Sequence, residues 1–276
     1  MVEFELNFQY AQAQEPALRK AGGSIPAGRC VVLCGGSGCG KSTLLRCLNG
    51  LIPQFYEGAL TGFCRLNGQD TAGLSIGETG ELAASVFQDP RSQFFTVNSS
   101  NEVAFGLENH GLPQEEIKKR VDEAFRVFHL ERLKDRSVYK LSSGERQLIS
   151  ILSEWAMDTD IFLLDEPTAG QDAESLERCA ALIRDMRKEK TVLIITHDLE
   201  LIAAACDRCL GLSDGRAEAE FPVQSEQDLQ AIRAYMERFQ PAGIQPKKQH
   251  KELLHPAAKL LYWLVLAAAI AAGLIL

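Results

Sequence analysis

Residues 35–42 read Gly35-Gly-Ser-Gly-Cys-Gly-Lys-Ser42 and match the pattern G-x-x-x-x-G-K-[ST]. The glycines let successive backbone N–H groups turn toward one point, where they can cradle a polyphosphate. The apolar run Arg29–Cys34 before them predicts a buried strand, and residues 41–51 after them predict a helix. Such a helix aims its positive end at the same anion. The stretch therefore predicts a phosphate-binding loop between a strand and a helix.

The residues of this loop have separate expected roles. Lys41 would bridge the β- and γ-phosphates, and the Ser42 hydroxyl would ligate Mg²⁺. The alternative, a glycine turn with an exposed lysine, does not explain the strand and helix on either side. The other positions expected to contact a nucleotide are Gly35, Gly36, Ser37, Gly38, Cys39, Gly40 and Thr43.

A second motif, Asp160-Ile-Phe-Leu-Leu-Asp165-Glu166, consists of four apolar residues that end in two carboxylates. It predicts a buried strand that delivers Asp165 at its carboxyl end, where the carboxylate can hold Mg²⁺ directly or through water. Glu166, one residue further on, can point at an attacking water as a general base. Strands often end in acidic residues, so the motif gains its weight from the loop upstream.

Strand and helix patterns alternate along the rest of the chain. The residues Val2 to Tyr10 alternate in polarity and predict an amphipathic strand. Strands alternating with helices indicate an α/β fold with a mostly parallel sheet. The further predicted strands are 61–68, 84–88, 160–164, 191–196, 208–213 and a short strand after the turn at Asp214-Gly215, and the further predicted helices are 113–130, 142–157, 172–189, 198–206 and about 226–239.

Composition excludes several classes of protein. The 276 residues are 46% hydrophobic and 24% charged, which is typical of a globular chain rather than a disordered or collagen-like one. A net charge of -8 argues against a nucleic-acid partner, since such proteins usually carry a basic footprint. Eight scattered cysteines without a signal peptide indicate a reducing cytosol. Cys206 and Cys209 form one C-x-x-C, but the sequence has no second pair and no suitably spaced His, which favours two small core residues over a zinc site.

The carboxyl-terminal stretch differs from the rest. Residues 240–252 are polar, contain proline and predict a linker. Leu260–Leu276 is an unbroken apolar run that would span about 25 Å as a helix, slightly short of a hydrocarbon core of ~30 Å. Lysines and two aromatic residues near its start suit a membrane interface with a cytosolic flank. We expect a linker at 240–256 and a hydrophobic helix at 257–276, which either enters the membrane or is buried or interfacial.

A third motif, Leu141-Ser-Ser-Gly-Glu-Arg-Gln147, precedes the strand that ends in Asp165. It resembles the LSGGQ signature of ABC ATPases, which touches the γ-phosphate of ATP held by the partner subunit. The resemblance implies that Ser142 offers a hydroxyl to that γ-phosphate and that Ser142 to Gly144 offer it backbone N–H groups. Ser142 and Glu145 also fit a helix capping box, and both interpretations can hold together.

Four single residues resemble functional positions of the same family. Gln88 resembles the Q-loop glutamine, a contact of Mg²⁺ and water that also senses the transport partner. His197, in Ile195-Thr-His-Asp198, resembles the catalytic switch histidine, and Asp172 resembles the D-loop aspartate. Tyr10 resembles the aromatic residue that stacks on adenine, although a half-buried strand tyrosine is the alternative.

Together these motifs cover residues 4–215 in the family's order, so the chain is identified as a member of the ABC transporter nucleotide-binding subunits. The resemblance implies an ABC-type P-loop NTPase fold, with an antiparallel β subdomain and a helical subdomain at about 90–158. It implies an ATP-binding domain over 1–239, ATP and Mg²⁺ as ligands, a second ABC ATPase as partner, and a place on the cytoplasmic face of the membrane. Phe87–Thr96 and Glu102–Asn109 further resemble energy-coupling factor (ECF) importers, which take up vitamins and transition-metal ions through membrane components.

Alternatives to this function remain open at this point. They are an ATPase subunit of an exporter, a soluble ABC ATPase outside transport, and a non-catalytic nucleotide-binding partner. Phe94 and Phe95 would be exposed anchors for the membrane partner or, alternatively, core aromatics. Four residues depart from the family pattern, namely Ser143, Glu145, Leu148 and Gln171. Glu145 in particular would repel a γ-phosphate unless it points away. These departures leave open whether the chain forms a homodimer or an asymmetric heterodimer.

Overall fold

The computed structural model describes residues 1–239, apart from the side chain of Ser92. The predicted linker at 240–256 and hydrophobic helix at 257–276 lie outside these residues. Within 1–239, no helix is long and apolar enough to cross a bilayer. The strands are β1 (Val2–Tyr10), β2 (Leu18–Ile25), β3 (Cys30–Gly35), β4 (Gly58–Leu66), β5 (Gln69–Asp70), β6 (Ala83–Val86), β7 (Ile161–Asp165), β8 (Thr191–Ile195), β9 (Arg208–Ser213) and β10 (Arg216–Pro222). The helices are α1 (Lys41–Leu48), α2 (Leu51–Gln54), α3 (Ile76–Leu82), α4 (Ser99–Asn109), α5 (Gln114–Val127), α6 (Ser143–Ala156), α7 (Ala173–Met186), α8 (Leu199–Ala205) and α9 (Glu226–Glu237).

The larger sheet has six strands in the order β10-β9-β3-β8-β7-β6. Its neighbours are parallel except for β10, which pairs antiparallel with β9. The central strands β3 and β8 are buried along their whole length, as expected when both faces of a parallel sheet are covered. The predicted α/β fold with a mostly parallel sheet is confirmed.

The smaller sheet is antiparallel and has the order β2-β1-β4-β5. Phe4, Leu6 and Phe8 alternate along β1 and are buried, as the amphipathic pattern predicts. They pack in one cluster with α1 and with one face of the larger sheet, which includes Leu33 and Ile195. The expected antiparallel β subdomain is therefore present.

The opposite face of the larger sheet is covered by helices. Side chains such as Val32, Phe162 and Ile194 point to this face and pack with residues of α4 to α9. Because successive side chains of a strand point to opposite faces, one set of strands supplies both clusters. Helices α4, α5 and α6 pack together and fall within the range 90–158. We refer to α4–α6 as the helical layer.

Some elements differ from the sequence prediction. Strands β2 and β5 and helices α2, α3 and α4 were not predicted. The helix after the phosphate loop ends at Leu48 rather than Leu51, because Gly50 takes a φ of 76° that a continuing helix cannot hold. Cys206 and Cys209 are buried free thiols, and Cys206 Sγ lies 3.8 Å from Cys30 Sγ. The interpretation of Cys206 and Cys209 as core residues is confirmed.

The carboxyl ends of three strands lie side by side and bring the predicted motifs together. Leu33 of β3 pairs with Ile195 of β8, and Ile195 pairs with Asp165 of β7. In parallel sheets the loops that follow such ends converge at one edge. The phosphate loop follows β3, Glu166 follows β7 and His197 follows β8.

Candidate nucleotide-binding and catalytic site

The loop between β3 and α1 requires glycine at its two ends. Gly35 and Gly40 have φ values of 148° and 108°, which residues with a side chain rarely adopt. A Cβ at Gly35 would lie 2.1 Å from the carbonyl oxygen of Leu212, and one at Gly40 would lie 2.7 Å from that of Ala17. The loop is therefore held tightly against the neighbouring backbone.

Helix α1 begins without a side-chain cap. Gly40 offers no acceptor, and the first turn contains no acidic residue. The first N–H groups of any helix need an acceptor, and together with the helix dipole they favour an anion. This start therefore fits a phosphate. Six other helices in residues 1–239 begin with a capping side chain, namely Ser75, Asn98, Ser142, Asp172, Asp198 and Ser225.

The side chains of the loop divide into a buried and an exposed group. Lys41 is only 8% exposed, and its Nζ donates to the carbonyl oxygens of Gly35 and Gly36 at 2.9 Å each. These bonds hold the ammonium group at the loop that is expected to receive phosphates. Ser42 is exposed beside it, as are Ser37 and Gly38. Cys39 and Thr43 are buried.

Tyr10 lies half-buried at the end of β1 and contacts helix α1. Its hydroxyl is 3.1 Å from Thr43 Oγ1 and accepts a hydrogen bond from Arg46 at 3.1 Å. The half-buried position is confirmed, while stacking on adenine stays a prediction. Arg46 was not predicted, although it lies four residues after Ser42 on the same helix face, which is the signal that points to it. The positive charge of Arg46 also acts to lower the pKa of Asp165.

The two carboxylates at the end of β7, Asp165 and Glu166, lie in a desolvated environment. Burial raises the pKa of Asp165, against the opposing charges of Arg46 and Lys41. Burial first, and the charge of Asp165 second, raise the pKa of Glu166 to about 7. A general base is most effective when its pKa lies near the operating pH. Glu166 therefore has the protonation behaviour that its predicted role requires.

The backbone turns sharply at Glu166 and brings its carboxylate to His197. Glu166 has a φ of 47°, and its N–H donates to the carbonyl oxygen of Ile195 at 2.8 Å. Left-handed conformations of residues with side chains concentrate at functional sites. His197 Nε2 lies 3.4 Å from Glu166 Oε1. Burial, and secondly the charge of Lys41, lower the pKa of His197, so the imidazole is neutral at pH 7.

The loop that carries His197 is fixed by three residues that the sequence analysis missed. Thr196 is fully buried, and its Oγ1 accepts from the N–H of Asp198 at 3.1 Å. Thr168, from the loop after β7, donates to Asp198 Oδ2 at 3.3 Å. These bonds tie the loops after β7 and β8 to each other and orient His197 relative to Glu166.

Gln88 is exposed two residues beyond β6, which is the edge strand next to β7. Val86 pairs with Leu164, so Gln88 extends from the same sheet edge as Asp165. Within residues 1–239, no group of three or more His, Cys, Asp or Glu side chains is arranged to hold a metal. A hydroxyl from Ser42, an amide from Gln88 and the carboxylate of Asp165 nevertheless fit Mg²⁺, which takes its other ligands from phosphate and water.

The signature segment begins helix α6 with the predicted capping box. Ser142 Oγ accepts from the N–H of Glu145 at 3.1 Å, and Glu145 Oε2 accepts from the N–H of Ser142 at 2.9 Å. Glu145 Oε1 also accepts from Arg132 at 2.8 Å. Partial burial opposes ionisation, but the bonds from Ser142 and Arg132 prevail and lower the pKa of Glu145. Its charge is thus paired within the protein.

The signature packs against the start of α7. Gly144 is buried there, and a Cβ at this position would lie 2.3 Å from Ser175 Oγ, so the close packing requires glycine. Asp172 caps α7 by accepting from the N–H of Ser175 at 2.8 Å, which lowers the pKa of Asp172. Gln171 Nε2 donates to the carbonyl oxygen of Pro167 at 2.7 Å. Asp172 therefore has a local structural role, and its contact with a nucleotide stays a prediction.

Phe94 and Phe95 take different positions. Phe94 is half-buried and packs against the larger core, so of the two alternatives the core aromatic holds for Phe94 and the exposed anchor does not. The reason is that Phe94 directly follows Gln93, which is buried and hydrogen-bonded to Ser85 and Ser150. Phe95 is 37% exposed and stacks on Phe105 with ring centres 4.9 Å apart.

Comparison with known proteins decides the family. Residues 18–169, more than half of the chain, match the family model described as ABC transporter. The chain belongs to the ABC transporter family. The resemblance seen in the sequence motifs is therefore confirmed.

Two curated relatives illustrate the similarity. A putative ABC transporter ATP-binding protein of Treponema denticola is 36% identical over 225 residues, which cover 81% of this chain and 46% of that protein. A putative HMP/thiamine import ATP-binding protein, YkoD of Bacillus subtilis, is 33% identical over 218 residues, covering 78% and 40%. The chain thus spans less than half the length of these relatives.

Two solved structures share the fold. The cbiO1 protein of Clostridium perfringens, part of the ABC transporter complex cbiONQ, matches with a TM-score of 0.74 and 30% identity, covering 86% of this chain and 96% of that one. The dimeric ATP-binding cassette MJ0796, bound to ADP and Pi, matches with a TM-score of 0.68 and 26% identity, covering 82% and 100%. The fold is that of an ABC-type P-loop NTPase, and the chain carries an ABC ATPase domain.

We expect Glu166→Gln to stabilise the ligand-free chain at pH 8 and to change little at pH 5. The pKa of Glu166 is raised from 4.5 to about 7, so burial opposes folding only where the carboxylate ionises. The stability that the protonated Glu166 contributes is complete below pH 4.5, its pKa in the unfolded chain, and is lost as the pH rises through about 7. The free energy of unfolding therefore differs between the two limits by at most about 3 kcal/mol. Thermal unfolding between pH 5 and 8 measures the gain. The exposed Glu189→Gln serves as control, and an equal gain at both pH values would contradict the burial argument.

Proposed function

We propose that this chain binds and hydrolyses ATP as the motor subunit of an ABC transporter, of the ECF importer type, and acts through a partner membrane protein. The observation that carries the proposal is the convergence of three loops at one edge of the parallel sheet. These loops hold the phosphate cradle, the carboxylates Asp165 and Glu166, and His197. Similarity to an ABC transporter component supports the transport role.

In this proposal, the nucleotide is held by the loop and by helix α1. The N–H groups of Gly36–Gly40 and the uncapped start of α1 bind phosphate oxygens, and Lys41 neutralises their charge. Tyr10 stacks on the adenine ring from the end of β1. When bound, Mg²⁺ offsets the negative charge that develops on the phosphates. Ser42, Gln88 and Asp165 are its expected protein ligands.

Glu166 and His197 carry out the proton chemistry. Glu166 accepts a proton from the attacking water at a carboxylate oxygen, for which its pKa of about 7 is suited. The neutral imidazole of His197, 3.4 Å from that carboxylate, orients it and the water. Thr196 also makes a side-chain hydrogen bond to Glu166, which helps to hold the carboxylate beside His197.

A second ABC ATPase completes each site. Ser142 and the N–H groups up to Gly144, at the start of α6, would contact the γ-phosphate of ATP held by that partner, and Asp172 lies beside them. The dimeric cassette that resembles this chain supports such an arrangement. The pairing of Glu145 with Arg132 removes its expected repulsion of phosphate. The partner is either an identical chain or a different ATPase.

Residues 1–239 would form the ATPase domain on the cytoplasmic face of a membrane. The cargo, a vitamin or a transition-metal ion, would be selected by a separate membrane protein. Similarity to cbiO1 and to a protein named for HMP/thiamine import supports the importer type. The net charge of -8 is consistent with a partner other than nucleic acid.

Affinity purification of the tagged full chain from its native membranes, followed by mass spectrometry, tests this function. We expect a second ABC ATPase and a small multi-span membrane protein to co-purify. Recovery of the chain with one large permease alone would instead indicate an exporter. Recovery of soluble partners alone would indicate an ATPase outside transport, and either result would contradict the importer proposal. An unrelated soluble protein with the same tag controls for adhesion.

A further inference from the structure

A buried series of polar side chains connects the helix of the phosphate loop to the helix of the signature. Asn49 follows α1, and its Nδ2 donates to Ser85 Oγ in β6 at 3.3 Å. The carbonyl oxygen of Ser85 accepts from Gln93 Nε2 at 3.1 Å. Ser150, inside α6, donates its hydroxyl to Gln93 Oε1 at 2.9 Å. We refer to Asn49, Ser85, Gln93 and Ser150 as the polar chain.

Gln93 is the centre of the polar chain and also fixes the loop that carries Gln88. Its Oε1 accepts a second hydrogen bond, from the N–H of Phe87 at 3.0 Å. A backbone N–H can only donate, so this contact determines which end of the amide is the oxygen. Both acceptor sites of that oxygen are used. Gln93 therefore holds the residue directly before Gln88 and the middle of α6 at the same time.

All members of the polar chain are removed from solvent. Gln93 is 7% exposed, Ser85 is 6% exposed, and Asn49 and Ser150 are each 1% exposed. Apolar packing between the helical layer and the sheet is non-directional, so it does not by itself select one register. Hydrogen bonds in such a low-dielectric region are directional and costly to leave unmade. The polar chain thus specifies how α1, the Gln88 loop and α6 sit relative to one another.

We propose that Gln93 is a positioning residue for ATP hydrolysis. It holds the Gln88 loop so that Gln88 reaches the Mg²⁺ site, and it links that loop to α6, whose N-cap is the signature residue Ser142. A change in the Gln88 loop is thereby transmitted to the signature through Ser150. This inference rests on the proposed ATPase function. The hydrogen bonds of Gln93 run to Phe87, Ser85 and Ser150 rather than to the phosphate loop or Glu166, so we expect it to act on the rate of hydrolysis rather than on nucleotide binding.

The Gln93→Leu variant of the full chain tests this directly, because leucine has a similar size and makes no hydrogen bonds. We expect kcat for ATP to fall about ten-fold, while the Kd for ATP stays within about two-fold because Lys41 and the loop at 36–40 are untouched. Ser150→Ala, which removes one bond of the polar chain, should lower kcat in the same direction and by less.

Gln93→Glu gives a readout that a merely structural role would not produce. Its carboxylate can accept from Phe87 and Ser150 but cannot donate to the carbonyl oxygen of Ser85. A protonated carboxyl group recovers that donor. We therefore expect kcat of Gln93→Glu, relative to wild type at the same pH, to rise as the pH falls from 8 to 6.

Ser99→Ala is the matched control for Gln93→Leu. Ser99 is fully buried in the same helical layer and donates its hydroxyl to the carbonyl oxygen of Leu133, away from the Gln88 loop. It should lose thermal stability and keep kcat. The inference is overturned if Gln93→Leu retains wild-type kcat, if its Kd changes as much as its kcat, or if Ser99→Ala loses equal activity. Absence of Mg²⁺-dependent hydrolysis in the wild type would instead contradict the proposed ATPase function, and this inference with it.

Discussion

Glu166→Gln is expected to lower the rate of ATP hydrolysis by at least about 100-fold while ATP binding is preserved. The amide of glutamine matches the carboxylate in size but cannot accept a proton from water, and general-base catalysis contributes roughly 10²–10⁴-fold. Removing a carboxylate near the phosphates does not weaken, and can strengthen, binding of the anion. Phosphate release under saturating Mg²⁺-ATP and equilibrium binding of ATP measure the two effects separately.

The control for this variant is Glu189→Gln, an exposed glutamate just before the amino end of β8, at the opposite edge of the sheet. It should hydrolyse ATP like the wild type. If Glu166→Gln hydrolysed ATP at the wild-type rate, the assignment of Glu166 as general base would be wrong. The burial of Glu166 and its contact with His197 would then need another explanation.

Lys41→Ala is expected to weaken ATP binding by about 10- to 100-fold. A hydrogen bond to a charged group is worth roughly 1.5–3 kcal/mol, and each 1.4 kcal/mol corresponds to ten-fold in affinity. Lys41 is buried at the loop, where its ammonium group would meet the phosphates. Titration with a fluorescent ATP analogue in the presence of Mg²⁺ gives the change in Kd.

Lys119→Ala, on the exposed face of α5, is the matched control and should bind the analogue with wild-type affinity. Lys41 also donates to the carbonyl oxygens of Gly35 and Gly36, so thermal unfolding of the variant separates a collapsed loop from a lost phosphate contact. A folded Lys41→Ala variant with unchanged affinity would rule out the phosphate-cradle interpretation.

The parallel sheet and the phosphate loop were predictable because their signals are local. Continuous apolar runs, as at Cys30–Gly35 and Ile161–Asp165, mark buried strands, and glycines and carboxylates mark their carboxyl ends. The capping box of Ser142 and Glu145 follows from spacing alone. These features depend on neighbours within a few residues, so the sequence reveals them directly.

The missed elements depend on contacts that are distant in sequence or on weak local signals. Strand β2 contains Gly22 and Gly23, which break the apolar alternation, and it is stabilised by pairing with β1. Helix α3 contains Gly77 and Gly80, which disfavour a helix. Ser75 and Glu78 nevertheless form a capping box that marks its start. Tertiary packing overrides propensity in both cases.

The missed site residues show the same limit. Arg46 and Thr196 reach the carboxylates only after β1, β7 and β8 have been brought together. Gln93 has no motif of its own, and its role appears only when β6 and α6 lie side by side. Motifs predict which catalytic and binding side chains are present, whereas the residues that position those side chains can be identified only from the folded structure.

Mg²⁺-dependent hydrolysis of ATP by the purified full chain is the decisive measurement for this site. The site combines a phosphate cradle, Lys41 and a carboxylate with a pKa of about 7, so we expect phosphate release that requires Mg²⁺ and exceeds that of Lys41→Ala by at least ten-fold. Such a result would establish the convergence of the three loops as a working ATPase site. Phosphate release equal to that of Lys41→Ala, with or without Mg²⁺, would contradict it.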